Sequence, residues 1–206
     1  KVLEDGADHI NYDEQAIGQC LNAFQQLSCE QKGVAKLLKV LYRRIIDSNV
    51  ALDTKAISIS MYGLKNMNAQ KAELRDVLTL LMAQLAGNSN GLNGQAVGHI
   101  LYGMQRMSSR EPEVRNFLSV LSERLGESDC PMSGRNISHA LYGMQQMSSN
   151  YPEVRTLLSR LATKIVDSRD ILKDVEIGNA LYGLQDMKCT EVEVRTILSV
   201  LLSKII

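Results

Sequence analysis

A Tyr-Gly pair recurs in this chain at an unvarying interval of 40 residues. A fixed period of this length indicates that one supersecondary unit has been copied and stacked on its neighbours. Such an array favours a long surface that repeats the same positions over a single enclosed pocket. The four pairs are Tyr62-Gly63, Tyr102-Gly103, Tyr142-Gly143 and Tyr182-Gly183, with Asn22-Ala23 at the equivalent place upstream.

The start of each unit carries the signals of a helix N-terminus. In the third unit Asn93 is a good N-cap, and Leu92 before it and Val97 after it form a hydrophobic staple. In the fifth unit Lys173 stands at the cap position, so we expect the cap to move to Asp174. The equivalent caps in the other units are Asp13, Asp53 and Ser133, and Tyr12 is the first staple residue of the first unit.

Two amphipathic helices follow from the spacing of apolar residues in each unit. The stripe from Val97 to Met107 has a period of about 3.6 residues and predicts a first helix that runs to about Met107. Pro112 opens the second helix, where its missing N–H costs little. Glycine inside a helix costs up to about 1 kcal/mol relative to alanine, so the recurring Gly103 predicts close approach of another helix.

These observations predict an all-α fold, an α-solenoid of about five 40-residue helix-turn-helix repeats in a single array over residues 1–206. The first residue is Lys, and the last residues continue an apolar helical pattern, so we expect a piece of a longer chain or a subunit of a larger complex. The expected repeats are 12–51, 52–91, 92–131, 132–171 and 172–206, with 1–11 as the end of a preceding repeat.

Charge, cysteine content and motifs exclude several classes of function. Lys and Arg number 23, as do Asp and Glu, so the net charge of zero gives no global electrostatic argument for nucleic acid, although a local patch stays possible. The four cysteines have no metal-ligand spacing and predict reduced thiols in an intracellular, reducing compartment. No apolar run has membrane-spanning length, which predicts no membrane insertion. No catalytic or phosphate-binding motif occurs, so we expect neither enzymatic activity nor a cofactor or metal.

The face of the first helix opposite its apolar stripe is the candidate binding surface, called here the first-helix strip. It combines amides, tyrosines, histidines and a few cations at positions that repeat from unit to unit. In units two to four it comprises Lys55, Ile59, Tyr62, Asn66, Gln95, His99, Tyr102, Arg106, Arg135, His139, Tyr142 and Gln146. Its ends are Gln15, Gln19, Asn22 and Gln26 in the first unit and Val175, Asn179, Tyr182 and Asp186 in the fifth.

Two interpretations of the strip stay open. Aromatic, amide and arginine side chains together stack on and hydrogen-bond to single-stranded bases. Alternatively, each tyrosine packs against the helix of the next unit. Arginines also recur early in the second helix, where a solvated or inter-repeat salt bridge is favoured over a phosphate clamp, and Glu111–Arg115 and Glu191–Arg195 have i,i+4 spacing.

The segment 177–187 resembles the Asn-x-Leu-Trp-Ala-Leu-x-x-Leu core of octotricopeptide repeats. Asn179 and Leu181 match that core, while Tyr182 stands for its Trp and Gly183 for its Ala. The family consists of helix-pair repeat proteins that bind RNA in organelles of algae and other protists. The resemblance implies selective binding of single-stranded RNA in a chloroplast or mitochondrion, with about one base per unit. The alternative is a scaffold for protein–protein interaction or a structural subunit of a large organellar assembly.

Overall fold

The chain is all-α throughout the part that the structure describes. The structure is a computed structural model that describes residues 13–129 and 131–205. These residues form ten α-helices and one 3₁₀ turn, with no β-strand among them. The expectations for residues 1–11, for Tyr12 as a staple residue and for the thiol of Cys130 lie outside the described residues.

The helices alternate along the chain between a first and a second helix of each unit. The first helices are α1 (Glu14–Asn22), α3 (Thr54–Gly63), α5 (Gly94–Gly103), α7 (Gly134–Tyr142) and α9 (Asp174–Gly183). The second helices are α2 (Val34–Ser48), α4 (Ala72–Gly87), α6 (Pro112–Glu127), α8 (Pro152–Asp167) and α10 (Val192–Leu202). The 3₁₀ turn, Ala23–Gln26, follows α1 directly.

The predicted N-caps are confirmed in the first four units. The side-chain oxygens of Asp13, Asp53 and Asn93 accept the backbone N–H three residues further on, at 2.6, 2.6 and 2.8 Å. The hydroxyl of Ser133 accepts from the backbone N–H of Asn136 at 3.3 Å. Each cap satisfies one of the N–H groups that the first turn of a helix leaves without a partner.

The predicted shift of the fifth cap to Asp174 is wrong. Lys173 keeps the cap position, and α9 begins at Asp174 in the same register as the other first helices. A lysine side chain cannot accept a hydrogen bond, so the carboxylate of Glu176 reaches back and accepts from the backbone N–H of Lys173 at 2.9 Å. The acceptor at this helix start therefore comes from the third helical residue.

The first helices are shorter than their apolar stripes predict. α5 ends at Gly103, and the chain continues in tighter turns in which the N–H of Met104 donates to Leu101 O and that of Met107 to Met104 O, both at 2.8 Å. Met104 and Met107 are nevertheless fully buried. The stripe to Met107 predicted burial correctly, but period alone does not distinguish an α-helix from the i→i+3 turns that continue it.

Equivalent helices pack side by side in two sets. Each first helix contacts the first helix of the next unit, and each second helix contacts the next second helix. The buried side chains of both sets form one continuous hydrophobic cluster, dominated by Leu, Ile, Val and Met. Because each helix buries surface against its equivalents, the stability of one unit depends on its neighbours.

The recurring glycine marks the closest contact between first helices, as the sequence predicted. A Cβ built on Gly103 would lie 2.0 Å from the carbonyl oxygen of Met61, a distance that no side chain tolerates. The partner is backbone, so it cannot rotate out of the way. The same contact joins Gly63 to Leu21 O (2.1 Å), Gly143 to Leu101 O (1.9 Å) and Gly183 to Leu141 O (1.8 Å).

The recurring arginine joins second helices across units. Arg115 Nη1 donates to the carbonyls of Ser109 and Arg110 at 2.8 and 2.9 Å, and its Nε lies 3.6 Å from Glu153 in the next unit. Arg75 and Arg155 repeat the arrangement with carboxylates of the following helix pair. The inter-repeat interpretation is thus correct for these three, while the i,i+4 pair of Glu111 with Arg115 is wrong, since Glu111 lies 3.9 Å from Arg75.

Within the described residues, no helix combines the length and the apolar character needed to cross a lipid bilayer.

Replacing Gly103 with alanine tests the backbone contact. We expect Gly103→Ala to destabilise by roughly 1–3 kcal/mol or more, because the new methyl group forces two backbones apart. Gly178→Ala is the matched control: this glycine is also inside a first helix, and its Cβ would have no described atom within 4 Å. There alanine should stabilise by about 0.5–1 kcal/mol through helix propensity. Urea unfolding measures both, and equal effects of the two substitutions would contradict the assignment.

Candidate binding surface on the first helices

The four tyrosines of the strip stack on one another and form the tyrosine column. The ring centroids of Tyr62 and Tyr102 are 5.4 Å apart with an interplanar angle of 16°. The next two pairs, Tyr102 with Tyr142 and Tyr142 with Tyr182, are each 5.6 Å apart at 24° and 21°. Each tyrosine precedes the contact glycine, so the close approach of the helices brings the rings together. An aromatic pair contributes about 0.5–1.5 kcal/mol beyond its burial.

Histidines and a lysine flank the column. The ring of His99 lies 4.9 Å from that of Tyr62, and the ring of His139 lies 4.8 Å from that of Tyr102. Both histidines come from the unit after the tyrosine they contact. Lys65 Nζ lies 4.7 Å from the ring centroid of Tyr62 and 5.9 Å from that of Tyr102, within the range of a cation–π interaction.

The spacing of the column decides how a ligand can use it. A base inserted between two rings needs roughly twice the ~3.4 Å rise between stacked nucleotides. The rings are only 5.4–5.6 Å apart, so no base fits between them without moving the helices. The faces of the rings therefore pack against the tyrosines of neighbouring units and are not available for a base to insert between them. The rings of Tyr62, Tyr102 and Tyr142 are half-buried, and Tyr182 is 48% exposed at the end of the column.

Burial shifts the pKa values of Tyr102 and of the two flanking histidines toward their neutral forms. Burial, and secondarily the neighbouring phenols of Tyr62 and Tyr142, raises the pKa of Tyr102, so its hydroxyl stays protonated. Burial, followed by the positive charge of Arg135, lowers the pKa of His99 and of His139. The mutual effect of His99 also lowers the pKa of His139, while Glu176 acts in the opposite direction. Near pH 7 the imidazoles are therefore hydrogen-bonding groups rather than cations.

The remaining strip residues are placed around the column rather than in it. Lys55, Gln95, Arg106, Arg135 and Gln146 are exposed, and Asn179 is half-buried on α9. Asn66 has a structural partner, since its Nδ2 donates to the carbonyl of Gln25 in the first unit at 2.8 Å. The structure thus brings the tyrosines and histidines into ring contact, while Lys55, Gln95, Arg106, Arg135 and Gln146 are exposed outside those contacts.

A shallow groove between α1 and α3 surrounds Lys55. Gln15, Gln19 and Ile59 of the strip also line it, and its volume is about 130 Å³. A second, more polar groove of about 460 Å³ follows the turns after the first helices, where Gln146 lies beside Arg110 and Tyr151. The two grooves extend the candidate surface beyond the helices themselves.

Two features of this surface were not expected from the sequence. Lys65 lies one turn after Tyr62, and the i,i+3 spacing is the signal that identifies it. The groove at the turns depends on buried serines: the hydroxyl of Ser109 accepts from the backbone N–H of Ser148, and that of Ser149 from Lys188, both at 2.9 Å. The recurrence of Ser-Ser at 40-residue spacing is the sequence signal for the second feature.

The described cysteines are not part of the first-helix strip. Cys20, Cys29 and Cys189 are free thiols, and burial raises the pKa of the Cys29 thiol, whose Sγ lies 3.1 Å from the sulfur of Met67. Among the described residues, no group of three or more His, Cys, Asp or Glu is placed to hold a metal ion.

Charge is distributed unevenly over the strip. The twelve strip positions of α3, α5, α7 and the turns after them include three cations, Lys55, Arg106 and Arg135, and no carboxylate. The only acidic residue of the strip is Asp186, in the last unit. Carboxylates of residues outside these twelve positions lie nearby: Glu14 and Asp53 line the groove at Lys55, and Glu111 and Asp186 line the groove at Gln146.

Comparison with protein-family models, with curated proteins and with solved structures finds no match for this chain.

The depressed histidine pKa values predict that acid destabilises the fold. In the unfolded chain histidine titrates near about 6.5, so stability is fully present above that pH and is lost as the pH falls toward the lower folded pKa. The urea midpoint should fall between pH 7.5 and 5.5. The double variant His99→Gln/His139→Gln should lose less over that range than the parent chain. A midpoint that is constant or rises on acidification would contradict half-buried, neutral histidines.

Proposed function

We propose that the helix pairs form an α-solenoid of five 40-residue repeats that binds single-stranded RNA along the first-helix strip and has no enzymatic activity. The observation that carries the proposal is the strip of units two to four, where exposed cations and amides flank the tyrosine column and no carboxylate occurs. A polyanion with hydrogen-bonding bases matches that combination.

Phosphate contacts come from the three strip cations. Lys55, Arg106 and Arg135 lie in three successive units and are all exposed. Each can neutralise one phosphate and release its counterions, which gives a salt dependence of about 0.7 per contact for a single strand. Three contacts are few, which agrees with a short strand held on a chain of zero net charge.

Base contacts come from neutral groups beside the column. The amides of Gln95, Gln146 and Asn179 and the neutral imidazoles of His99 and His139 offer donors and acceptors to base edges. The rings of the column contribute their edges and hydroxyl groups, because their faces are covered by one another. Equivalent positions hold different residues from unit to unit, which lets each unit prefer its own base.

The resemblance to octotricopeptide repeats supports this ligand. That family's members bind single-stranded RNA with about one base per helix pair, so five units would read at most about five bases. The same resemblance is the support for a chloroplast or mitochondrion as the compartment.

A charge-matched pair of variants tests RNA binding. In Lys55→Gln/Arg106→Gln/Arg135→Gln we expect weaker binding of a single-stranded RNA pool and a slope of log K against log salt reduced by about 2, since three phosphate contacts are lost. The control is Lys39→Gln/Arg43→Gln/Arg160→Gln, which removes the same charge from exposed residues of second helices. Fluorescence anisotropy over a salt series measures both.

The result depends on where the charge was removed. No binding of the parent chain at low salt, or equal weakening by both triple variants, would overturn the proposed surface. Tyr102→Phe adds a milder probe, because it keeps the stacked ring and removes only the hydroxyl; we expect a loss of affinity with an unchanged urea midpoint.

A protein–protein scaffold is the second candidate, and one observation favours it. The last helix pair leaves large apolar side chains at the surface, among them Leu181 at 47% and Leu202 at 62% exposure. A chain that shows no affinity for RNA but keeps this surface would fit the scaffold instead.

A further inference from the structure

The face of α9 and α10 that points away from α7 and α8 repeats the interior contact surface of the array. At the residue before the recurring tyrosine (Asn22 in the first unit), the four preceding units hold Leu21, Met61, Leu101 and Leu141, all with no exposure, whereas Leu181 is 47% exposed. The carbonyl of each of these four interior residues is the one that receives a glycine of the next first helix. Leu181 O is the equivalent carbonyl of the last unit, 40 residues after Leu141 O.

Gly178 and Leu202 are also uncovered on this face. Gly178 has no described atom within 4 Å of a built Cβ, whereas its equivalent Gly98 has Asn136 O at 3.1 Å. Leu202 is 62% exposed, whereas its equivalents Ser122 and Ala162 are buried. Both positions are covered in preceding units and open at this end.

The side chains that join neighbouring units are also in place. Tyr182 presents an uncovered outer ring face at the end of the tyrosine column. Arg195 donates to the carbonyls of Cys189 and Thr190 at 3.0 and 2.7 Å, as the interior arginines do with theirs. Within the described residues no carboxylate pairs with Arg195, while Arg75, Arg115 and Arg155 each have one from the next unit.

A second copy of this chain does not complement the face through its own first unit. In that unit Ala23 stands at the position of the recurring glycine. A Cβ built on that glycine lies 1.8–2.1 Å from a carbonyl oxygen of the preceding first helix at each of the four junctions. The first unit also has Gln31 and Gly33 where Glu191 and Glu193 supply the carboxylates for Arg155. The face is therefore complementary to an interior type of unit and not to the chain's own first unit.

We propose that the α9–α10 end face, formed by Gly178, Leu181, Tyr182, Arg195 and Leu202, docks a partner helix pair of the interior repeat type. Three requirements define the partner. Its first helix carries a glycine that meets Leu181 O, an aromatic residue before that glycine stacks on Tyr182, and a carboxylate early in its second helix pairs with Arg195. The inference goes beyond RNA binding and does not depend on it. A base stacked on Tyr182 would leave Gly178, Arg195 and Leu202 without a role.

An extended chain tests the docking directly. A second copy of residues 167–206 is added after Ile206, which keeps the 40-residue register and supplies the glycine, tyrosine and glutamates. Because the added pair is tethered, its effective concentration is high and a complementary face binds it. We expect the urea m-value to rise by roughly one fifth, since it scales with the surface exposed on unfolding. Amide hydrogens of α9 should exchange more slowly than in the parent chain.

The control extension carries Gly183→Ala in the added copy alone. It should leave hydrogen exchange in α9 at the parent rate, because the methyl group blocks contact with Leu181 O. A milder second control, Glu191→Gln/Glu193→Gln in the added copy, should still protect α9 but to a smaller extent at low salt.

The proposal fails if the unmodified extension leaves both the m-value and the exchange of α9 unchanged, or if the alanine extension protects α9 equally. It also fails if single-stranded RNA, added to the parent chain, protects Tyr182 and α9 while the extension does not. In that case the end of the column is a base-stacking site.

Discussion

The contact between each glycine and the carbonyl of the preceding first helix sets the spacing of the first-helix layer. A Cβ at Gly63, Gly103, Gly143 or Gly183 would lie about 2 Å from a backbone oxygen, so only glycine permits this approach. Because backbone meets backbone, the separation does not depend on side-chain rotamers, and it is the same at every junction. The helix propensity lost at each glycine, up to about 1 kcal/mol, is offset by the packing that the close approach makes possible.

The tyrosine column follows from that spacing and determines how the surface can bind. Rings that directly precede the glycines are held 5.4–5.6 Å apart, so they cover one another's faces and leave their edges at the surface. In the proposed RNA complex, specificity would come from the variable residues beside the rings, because the rings themselves are identical in four units. At the end of the column formed by Tyr182, no further described ring stacks on the outer face, and this tyrosine is 48% exposed.

Most of the local structure could be predicted from single residues and their spacing, and two of the errors share one cause. The caps at Asp13, Asp53, Asn93 and Ser133 and the close approach at the glycines are local rules that the structure obeys. The cap at Lys173 was placed wrongly because a carboxylate three residues away supplies the acceptor. Arg115 was paired within its own helix, whereas the carboxylate of the next unit lies closer in space. In both cases the hydrogen bond or ion pair is made by a carboxylate that the local pattern did not include, Glu176 for the cap and Glu153 for Arg115.

The sequence by itself determined that the chain is helical, that its unit repeats every 40 residues, and which side of each first helix is buried. These properties follow from apolar period, caps and glycine placement, which act within one unit. Only the tertiary structure decided what the exposed side presents. Whether Tyr102 offers a face to a ligand or to Tyr142 depends on the distance between two helices, and Arg195 differs from Arg155 only in its neighbours. The physical reason is that the stacking of a tyrosine and the pairing of an arginine depend on the residues of the adjacent unit, which the position within one unit does not specify.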